Sequence, residues 1–313
     1  MEGVRCKFSI IVPFNGEKTI HRTLASVLCQ SFSDFEIILI DDSEDGLFKA
    51  SLCKYNKFIN TLKLRVFFNS KNLGLTRSLN YGIEASVGDF IVRCDADDEM
   101  RPKRLEILDK YFALGYDFVG NGSEFFYENG GSYQRSGGKC LSSLDIKTRL
   151  QKFKPVCSHS AFAFKKSLVK QMGGYKESYI YAQDRDLLLR LLSIRANMII
   201  VPNILTNVYL HPNAISQSKN RETQMLLGIF SQVEFELRER GLCVNEKKIS
   251  RCIEDGFLWQ LIKKCEACKA KLRHQRLSIW AVAFNLKCYS FAMFSNLIQR
   301  TLLRIVLFNL GTK

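Results

Sequence analysis

The chain has 313 residues, of which 46% are apolar, and its 46 basic and 31 acidic residues give a net charge of +15. This size and apolar content suffice for one α/β unit and a smaller second region, each with its own core. The sequence contains no internal repeat, low-complexity tract or long linker, which excludes repeat arrays. The excess positive charge indicates an anionic partner or surface.

The cysteines argue against a disulfide framework. There are eleven, an odd number at irregular spacing, and no secretory signal precedes the first predicted strand, so we expect a reduced cytoplasmic protein. Cys265 and Cys268 form the one C-x-x-C pair in the sequence. Because no second pair lies at ligand spacing, buried helical cysteines are favoured over a zinc site.

The N-terminal sequence alternates between short apolar runs and helical spacing. In chain order, the pattern predicts a strand at residues 8–12 ended by Pro13, a helix at 19–29, strands at 35–40 and 64–68, a helix through Leu79, Ile83 and Ala85, and a strand at 90–92. Strands separated by helices indicate βαβ units and therefore a parallel sheet.

Polar residues follow several of these predicted strands. Right-handed crossovers bring the carboxyl ends of parallel strands to one edge of the sheet, where α/β proteins bind their ligands. The residues expected to line one crevice at that edge are Pro13, Asn15, Asp42, Asn72 and Asp95.

An acidic segment, Asp95-Ala96-Asp97-Asp98, follows the last of these strands. Carboxylates are the ligands that Mg²⁺ or Mn²⁺ prefers, and such ions often bind one or two carboxylates together with substrate phosphates. The D-x-D pattern is weak by itself, since Asp184-Arg185-Asp186 is a second instance. The alternative is a solvated turn in which Asp98 caps a helix beginning near Pro102.

The order of several short motifs resembles that of one enzyme family. The matching segments are Ile11-Val12-Pro13-Phe14-Asn15, Gln30-Ser31-Phe32-Ser33-Asp34-Phe35-Glu36, Ile40-Asp41-Asp42-Ser43, Asn72-Leu73-Gly74-Leu75, Asp95-Ala96-Asp97-Asp98, His159-Ser160, Gly173-Gly174-Tyr175 and Gln183-Asp184-Arg185-Asp186-Leu187. Residues 8–216 therefore resemble a family 2 glycosyltransferase of the GT-A type, an inverting transferase that depends on a nucleotide sugar. The resemblance implies an α/β fold with a GT-A-type nucleotide-sugar-binding sheet and flanking helices over residues 1–218.

The resemblance also implies roles on the donor side of the site. Asp42 is expected to hydrogen-bond the nucleotide base, in a pocket that includes Pro13 and Asn15, and Asn72 is expected to help bind the nucleotide sugar. Asp95 would approach the ribose or the metal. Asp97 would bind an Mn²⁺ or Mg²⁺ ion that bridges the diphosphate and offsets its growing charge as a Lewis acid. The simpler alternatives are that Asp42 begins a turn and Asn15 caps a helix.

On the acceptor side, an inverting transferase needs a base to take the proton of the attacking hydroxyl. Asp184 is the candidate, since it opens a predicted helix whose Leu187, Leu188 and Leu191 can anchor one face. The family usually has Glu-Asp here, whereas this chain has Gln183-Asp184, which puts a supporting role of that Glu in doubt. The alternative is that Asp184 and Asp186 merely interact with the helix N-terminus.

Four further residues are candidates. His211, in the segment Tyr209-Leu210-His211-Pro212, resembles the closing motif of the family and could bind the metal or a phosphate. His159 and Ser160 are predicted to shape the acceptor side. Arg77 lies two positions earlier than the Arg of many relatives, so it either reaches phosphate or belongs to a solvated helix face.

The basic C-terminal region, residues 219–313, is predicted to be helical and amphipathic. From Lys247 to the end it contains thirteen Lys or Arg and three Asp or Glu, a net charge of +10. Lys287 disfavours a membrane-spanning helix at residues 277–298, because a Lys at a bilayer centre costs about 2.5–3.5 kcal/mol. Arg300 and Arg304 lie one turn apart, as in an interfacial helix. Either this region contacts an anionic membrane surface, or it packs on the enzyme or on a second copy.

The sequence therefore predicts a metal-dependent hexosyl- or N-acetylhexosaminyltransferase. It would move a sugar from a nucleotide sugar, with a UDP-sugar favoured, to a hydroxyl of a glycan or lipid-linked acceptor in surface polysaccharide or glycoconjugate synthesis, at the inner face of the membrane. One alternative is a non-catalytic basic membrane- or nucleic-acid-binding protein that keeps an inactive transferase fold. The absence of an aromatic and basic RNA-binding motif argues against nucleic acid. The second alternative is a nucleotidyltransferase, but the chain lacks the Gly-rich phosphate loop that such an enzyme would have after the first strand.

Overall fold

The computed structural model describes residues 6–16, 19–43, 64–127, 132–210 and 221–241. The chain divides into two compact units, Met1–Met225 and Leu226–Lys313. The predicted membrane-contact region beyond residue 241 lies outside the described residues, as do Cys265 and Cys268. Within the described ranges, no helix is both long and apolar enough to cross a membrane.

The first unit is built on one mixed ten-stranded sheet. Its strands are β1 Phe8–Phe14, β2 Phe35–Asp41, β3 Leu64–Phe68, β4 Phe90–Arg93, β5 Glu99–Met100, β6 Phe118–Tyr127, β7 Ser132–Ser136, β8 Leu141–Ser142, β9 Phe162–Lys165 and β10 Met198–Leu210. The helices are α1 Ile20–Leu28, α2 Leu75–Ala85, α3 Arg104–Ala113, α4 Ser143–Gln151, α5 Lys166–Gln171, α6 Gln183–Ser193 and α7 Arg221–Glu239, the last of which crosses the boundary between the units.

The strand order β3-β2-β1-β4-β9-β6-β10-β5 explains where the site lies. The strands β3, β2, β1 and β4 pair in parallel, as the alternation of strands and helices predicted. The sheet becomes mixed from β9 onward, because β9 runs antiparallel to both β4 and β6. The carboxyl ends of the four parallel strands therefore share one edge, as the sequence pattern predicted.

The sheet is covered on both faces, which is why β1 is buried along its whole length. Alternate residues of β1, such as Ile10 and Val12, belong to the core that includes Leu24 of α1 and Leu108 of α3. Ile11 points to the other face, toward α2. There a Cβ on Gly82 would lie 2.7 Å from the Ile11 side chain, so glycine lets α2 pack closely on the sheet.

Two predicted boundaries differ from the structure. The strand β1 continues past Pro13 to Phe14, whereas the sequence predicted that Pro13 ends it. The carbonyl of Ile11 accepts a hydrogen bond from the Cys94 N–H on the β4 side, and Pro13 faces that same side beyond the end of the β4 pairing. Its missing N–H therefore removes no ladder hydrogen bond. The helix predicted near Pro102 begins at Arg104, without a side-chain cap, so Asp98 does not cap it.

Candidate active site

Three aspartates meet in a tight turn directly after β4. One carboxylate oxygen from each of Asp95, Asp97 and Asp98 lies within 4.8 Å of the other two, and the Asp98 N–H closes the turn on the Asp95 carbonyl at 3.1 Å. Asp95 and Asp97 are partly exposed, whereas Asp98 is only 3% exposed. Burial, and then the charges of Asp95 and Asp97, raise the pKa of Asp98 well above its ordinary value. A group of hard oxygen atoms that repel one another suits a divalent cation.

Two side chains of α1 hold the backbone of this turn in place. The Thr23 hydroxyl donates to the Ala96 carbonyl at 2.8 Å, and Nη2 of Arg22 donates to the Asp97 carbonyl at 2.7 Å. The Arg22 guanidinium also lies 3.4 Å from the centre of the Tyr209 ring. Sequence reasoning missed Arg22 and Thr23, because no local pattern links them to a turn more than 70 residues away in the chain.

The strand β10 and the short turn at Ser160 complete this support. The Tyr209 N–H donates to Oδ1 of Asp98 at 3.2 Å. The Ser160 hydroxyl accepts from the Asp95 N–H at 3.3 Å and also hydrogen-bonds Asp98. With 1% exposure, Ser160 is buried against the acidic turn. Its role on the acceptor side stays a prediction. His211 lies outside the described residues, two positions after Tyr209.

The carboxyl ends of β1 and β2 form the neighbouring part of the same edge. The Asp42 carboxylate accepts hydrogen bonds from the N–H groups of Leu73 and Gly74 at 2.7 and 2.8 Å, and from Nδ2 of Asn69 at 2.6 Å. Asp42 is 5% exposed, so in this structure its carboxylate anchors the loop that begins α2. Its contact with a nucleotide base stays a prediction.

That loop brings Asn72 to the end of β1. The Asn72 Nδ2 donates to Oδ1 of Asn15 at 3.1 Å, and both amide side chains are exposed. Pro13 is buried two residues earlier. The structure therefore brings together Pro13, Asn15, Asp42 and Asn72, four of the five residues predicted to bind the nucleotide sugar, with Asn15 and Asn72 accessible to a ligand. Arg77, by contrast, pairs with Glu177 at 2.8 Å on the surface, which favours the solvated alternative.

Asp184 lies in the first turn of α6. Leu187, Leu188 and Leu191 are buried and hold this helix, as predicted. The Asp184 carboxylate is partly exposed and accepts hydrogen bonds from its own N–H and that of Arg185. Burial raises the pKa of Asp184, while those hydrogen bonds and the charges of Arg185 and Arg93 oppose the rise. The result is a proton acceptor held rigidly by a helix N-terminus.

Asp186 points into the protein. It is 1% exposed and pairs with Nε of Arg190 at 2.8 Å, and Nη2 of that arginine donates to the Gly174 carbonyl at 2.8 Å. The second D-x-D segment is therefore not a pair of metal ligands. Asp186 instead orients Arg190, and Arg190 ties α6 to the loop at Met172 and Gly174.

This loop presents Tyr175 to His159. Asn80 of α2 exchanges two hydrogen bonds of 2.8 Å with the Tyr175 backbone, and the Tyr175 hydroxyl lies 2.9 Å from Nε2 of His159. A Cβ on Gly174 would lie 2.5 Å from the Asn80 side chain, which explains the glycine. Burial, and then the charge of Arg93, hold the pKa of His159 well below its ordinary value, so the imidazole is neutral at pH 7.

Arg93, the last residue of β4, was also missed by the sequence reasoning. Its Nη1 donates to Oδ1 of Asp95 at 2.5 Å, and its charge acts on Tyr175 and Asp184. Burial raises the pKa of the Tyr175 phenol, and the charges of both Asp184 and Asp95 help to raise it, so both carboxylates lie near this ring. One feature of the sequence could have identified it: Arg93 is a charged residue at the end of a strand that is otherwise apolar.

Comparisons with known proteins agree with this architecture. Residues 9–173 match the family model described as Glycosyl transferase family 2. The chain is 32% identical over 176 residues to the putative glycosyltransferase EpsE of Bacillus subtilis, a match that covers 54% of this chain and 60% of that protein. It is 28% identical over 205 residues to the amylovoran biosynthesis glycosyltransferase AmsE of Erwinia amylovora, covering 64% and 75% of the two chains.

A solved structure shows the same fold at low sequence identity. The structure of S. aureus TarS 1-349 in complex with UDP-GlcNAc superposes with a TM-score of 0.57 at 20% identity. The superposition covers 72% of this chain and 66% of that one. The predicted GT-A-type fold, an α/β sheet with flanking helices, is thereby confirmed.

Proposed function

This chain belongs to glycosyl transferase family 2, and we propose that it is a metal-dependent inverting transferase that moves a sugar from a UDP-sugar to a hydroxyl of a glycan or lipid-linked acceptor. The observation that carries the proposal is the convergence of Asp95, Asp97 and Asp98 at the end of β4. The UDP-GlcNAc complex of TarS supports the choice of donor, and the role of AmsE in amylovoran biosynthesis supports a glycan product.

The residues of the acidic turn fit a divalent cation. Asp95 and Asp97 offer partly exposed oxygen atoms, and the buried, raised-pKa Asp98 supplies a third carboxylate whose charge a cation would offset. Bound there, Mn²⁺ or Mg²⁺ would stabilise the negative charge of the nucleoside diphosphate as a Lewis acid. Thr23 and Arg22 hold the turn rigid, so its carboxylates need little reorganisation when the ligand arrives.

Asn15 and Asn72 are placed to bind the nucleotide. Their exposed amides offer donors and acceptors at the end of β1, beside the buried Pro13. Asp42 holds the Asn72 loop in position through the Leu73 and Gly74 N–H groups. A nucleotide base that reaches Asp42 would compete with these internal hydrogen bonds.

Asp184 is the proposed general base. Its carboxylate takes the proton of the acceptor hydroxyl as the hydroxyl oxygen bonds to the anomeric carbon, and the bond from that carbon to the diphosphate oxygen breaks on the opposite face. The configuration at the anomeric carbon is thereby inverted. The N–H groups of the first turn of α6 orient the carboxylate, and the neutral His159 and Tyr175 line the region between it and Arg93.

The proposal is tested with a panel of nucleotide sugars in a thermal-shift assay, with and without Mn²⁺. A donor at 100 times its Kd stabilises a protein by about 2.7 kcal/mol, so one UDP-sugar should raise the Tm clearly, and only with the metal present. NMR of the product then reports the anomeric configuration. If no nucleotide sugar binds under either condition, or if the product retains the configuration, the proposal is wrong.

We also propose that the basic C-terminal region brings the enzyme to an anionic membrane surface. The support is its net charge of +10 after residue 246 and the spacing of Arg300 and Arg304. Replacing both arginines with glutamate in the full chain should release the protein from vesicles that contain anionic lipid, and added salt should release the unchanged protein. Equal vesicle binding by both proteins would contradict the proposal.

A further inference from the structure

Arg93 is a buried charge with an incomplete set of hydrogen bonds. It is 1% exposed and makes one side-chain hydrogen bond, from Nη1 to Asp95. Its Nε and Nη2 atoms are fully buried and have no hydrogen-bond partner among the described residues. Burying a guanidinium with unpaired N–H groups is costly. Packing alone does not account for an arginine at this position, since the rest of β4 is apolar.

The surroundings of Arg93 come from four separate parts of the chain. Asp95 belongs to the acidic turn, His159 to the short turn before β9, Tyr175 to the loop after α5, and Asp184 to the start of α6. The charge of Arg93 acts on all four of these groups. The guanidinium therefore contacts the acidic turn directly, and its charge reaches the first turn of α6.

We propose that Arg93 is a positioning residue of the site: its Nη1 orients Asp95 for the donor. This inference rests on the proposed function. Asp95 has one oxygen engaged by Arg93 and keeps the other for a ligand. Among the described residues, Asp95 is the side chain that hydrogen-bonds the Arg93 guanidinium, so the two side chains fix each other's orientation.

The positive charge of Arg93 also affects the pKa of Asp184. The charged or titratable groups that face Asp184 are Arg185 on its own helix, Arg93 on β4, Tyr175 and Cys157. Arg93 and Arg185 lower the pKa of Asp184, against the rise caused by burial. A neutral side chain at position 93 would therefore raise that pKa further, and less of the base would be ionised at a given pH.

Arg104 provides a matched control. It is also fully buried and has two nitrogen atoms, Nε and Nη1, without a hydrogen-bond partner among the described residues. Its Nη2, however, donates to the Ser160 carbonyl at 2.8 Å and not to a carboxylate. Arg104→Met removes an equally buried guanidinium, but no contact with Asp95 and no charge that acts on Asp184.

The experiment compares Arg93→Met, Arg93→Lys and Arg104→Met with the unchanged protein. Calorimetry measures UDP affinity with Mn²⁺ present, and the pH dependence of kcat/KM gives the apparent pKa of the base. Arg93→Met should weaken UDP binding about tenfold, as expected when an orienting charge-assisted hydrogen bond is lost. In the pH dependence of kcat/KM, the fall in activity on the acid side should also move to higher pH by about one unit in Arg93→Met. Arg93→Lys keeps the charge but not the guanidinium geometry, so it should weaken binding and leave that fall in place.

Each outcome bears on one part of the inference. If Arg104→Met reproduces both effects, or if Arg93→Lys binds UDP as tightly as the unchanged protein, Arg93 does not position Asp95. If the acid limb of the pH profile shifts in Arg93→Lys, or stays in place in Arg93→Met, the charge of Arg93 does not set the pKa of Asp184. Arg93→Lys alone decides both points if Arg93→Met does not fold. If the unchanged protein neither binds UDP with Mn²⁺ nor transfers sugar, the proposed function itself has failed.

Discussion

The chain contains two D-x-D segments with opposite structural outcomes. In Asp95-Ala96-Asp97 the backbone turns sharply after a strand, so the carboxylates converge with Asp98 to within 4.8 Å. In Asp184-Arg185-Asp186 the backbone is helical, and side chains two residues apart point about 200° away from each other. Asp184 therefore stays partly exposed, while Asp186 is buried against Arg190.

This comparison shows that backbone conformation decides what a pattern of acidic residues can do. The same spacing gives a group of converging carboxylates after a strand, and one partly exposed carboxylate plus one buried ion pair on a helix. Substitution of the individual aspartates in both segments should therefore have three distinct effects: on metal and donor binding, on transfer, and on folding stability.

The largest effect is expected at Asp97. Asp97→Asn removes a partly exposed carboxylate of the acidic turn, so Mn²⁺-dependent UDP binding should be lost and transfer should fall by at least about 10²–10³-fold, the range for loss of one electrostatic contact to developing charge. Calorimetry with and without Mn²⁺ measures the first effect. Asp34→Asn, on the exposed loop before β2, is the control. Full activity in Asp97→Asn would remove the metal assignment.

Asp184→Asn should slow sugar transfer without weakening the binding of the donor. General-base catalysis contributes about 10²–10⁴-fold, so kcat should fall by that factor. UDP affinity in the presence of Mn²⁺ should stay close to that of the unchanged protein, because the proposed base acts on the acceptor hydroxyl and not on the diphosphate. Measuring kcat and UDP affinity for the same variant separates the two D-x-D segments. A loss of UDP affinity equal to that in Asp97→Asn would contradict the separation.

The sequence allowed the elements that carry the site to be predicted, because their signals are local. The strand at residues 64–68 has the predicted bounds, and the three leucines of α6 are buried as their helical spacing indicated. The contacts that hold the acidic turn could not be predicted. Arg22 meets Asp97 across 75 residues of chain, and Ser160 meets Asp95 across 65. Such pairs depend on how β4, α1 and the turn before β9 pack, which no local pattern encodes.

Asp186→Asn should lower stability more than catalysis. Removing one partner of a buried ion pair costs about 3–5 kcal/mol, and the amide can keep part of the hydrogen bonding, so we expect a loss of about 3 kcal/mol in the free energy of unfolding. Urea denaturation measures this loss, while kcat of the folded protein should change little. Glu177→Gln breaks the exposed pair with Arg77 and should cost less than about 1 kcal/mol. Equal stabilities of these two variants would contradict the structural role of Asp186.

The smallest expected effect is a displacement of the pH profile of the unchanged protein. Burial raises the pKa of Asp184, and the base acts only when it is ionised. Activity should therefore fall as the pH falls through a value above that of an unperturbed aspartate, about 3.9. The raised pKa of Asp98 would also weaken metal binding in acid, so UDP affinity with Mn²⁺ must be measured over the same pH range.

Saturating donor and metal remove the contribution of metal binding to the pH profile. The fall of kcat in acid that remains under these conditions is the one expected from Asp184. It should be absent from the residual activity of Asp184→Asn, since asparagine does not titrate. It should persist in Asp186→Asn, whose substituted side chain is turned away from the site. If this fall survives unchanged in Asp184→Asn, another group takes the proton, and the first turn of α6 would then have only a structural role, like the ion pair two residues further along it.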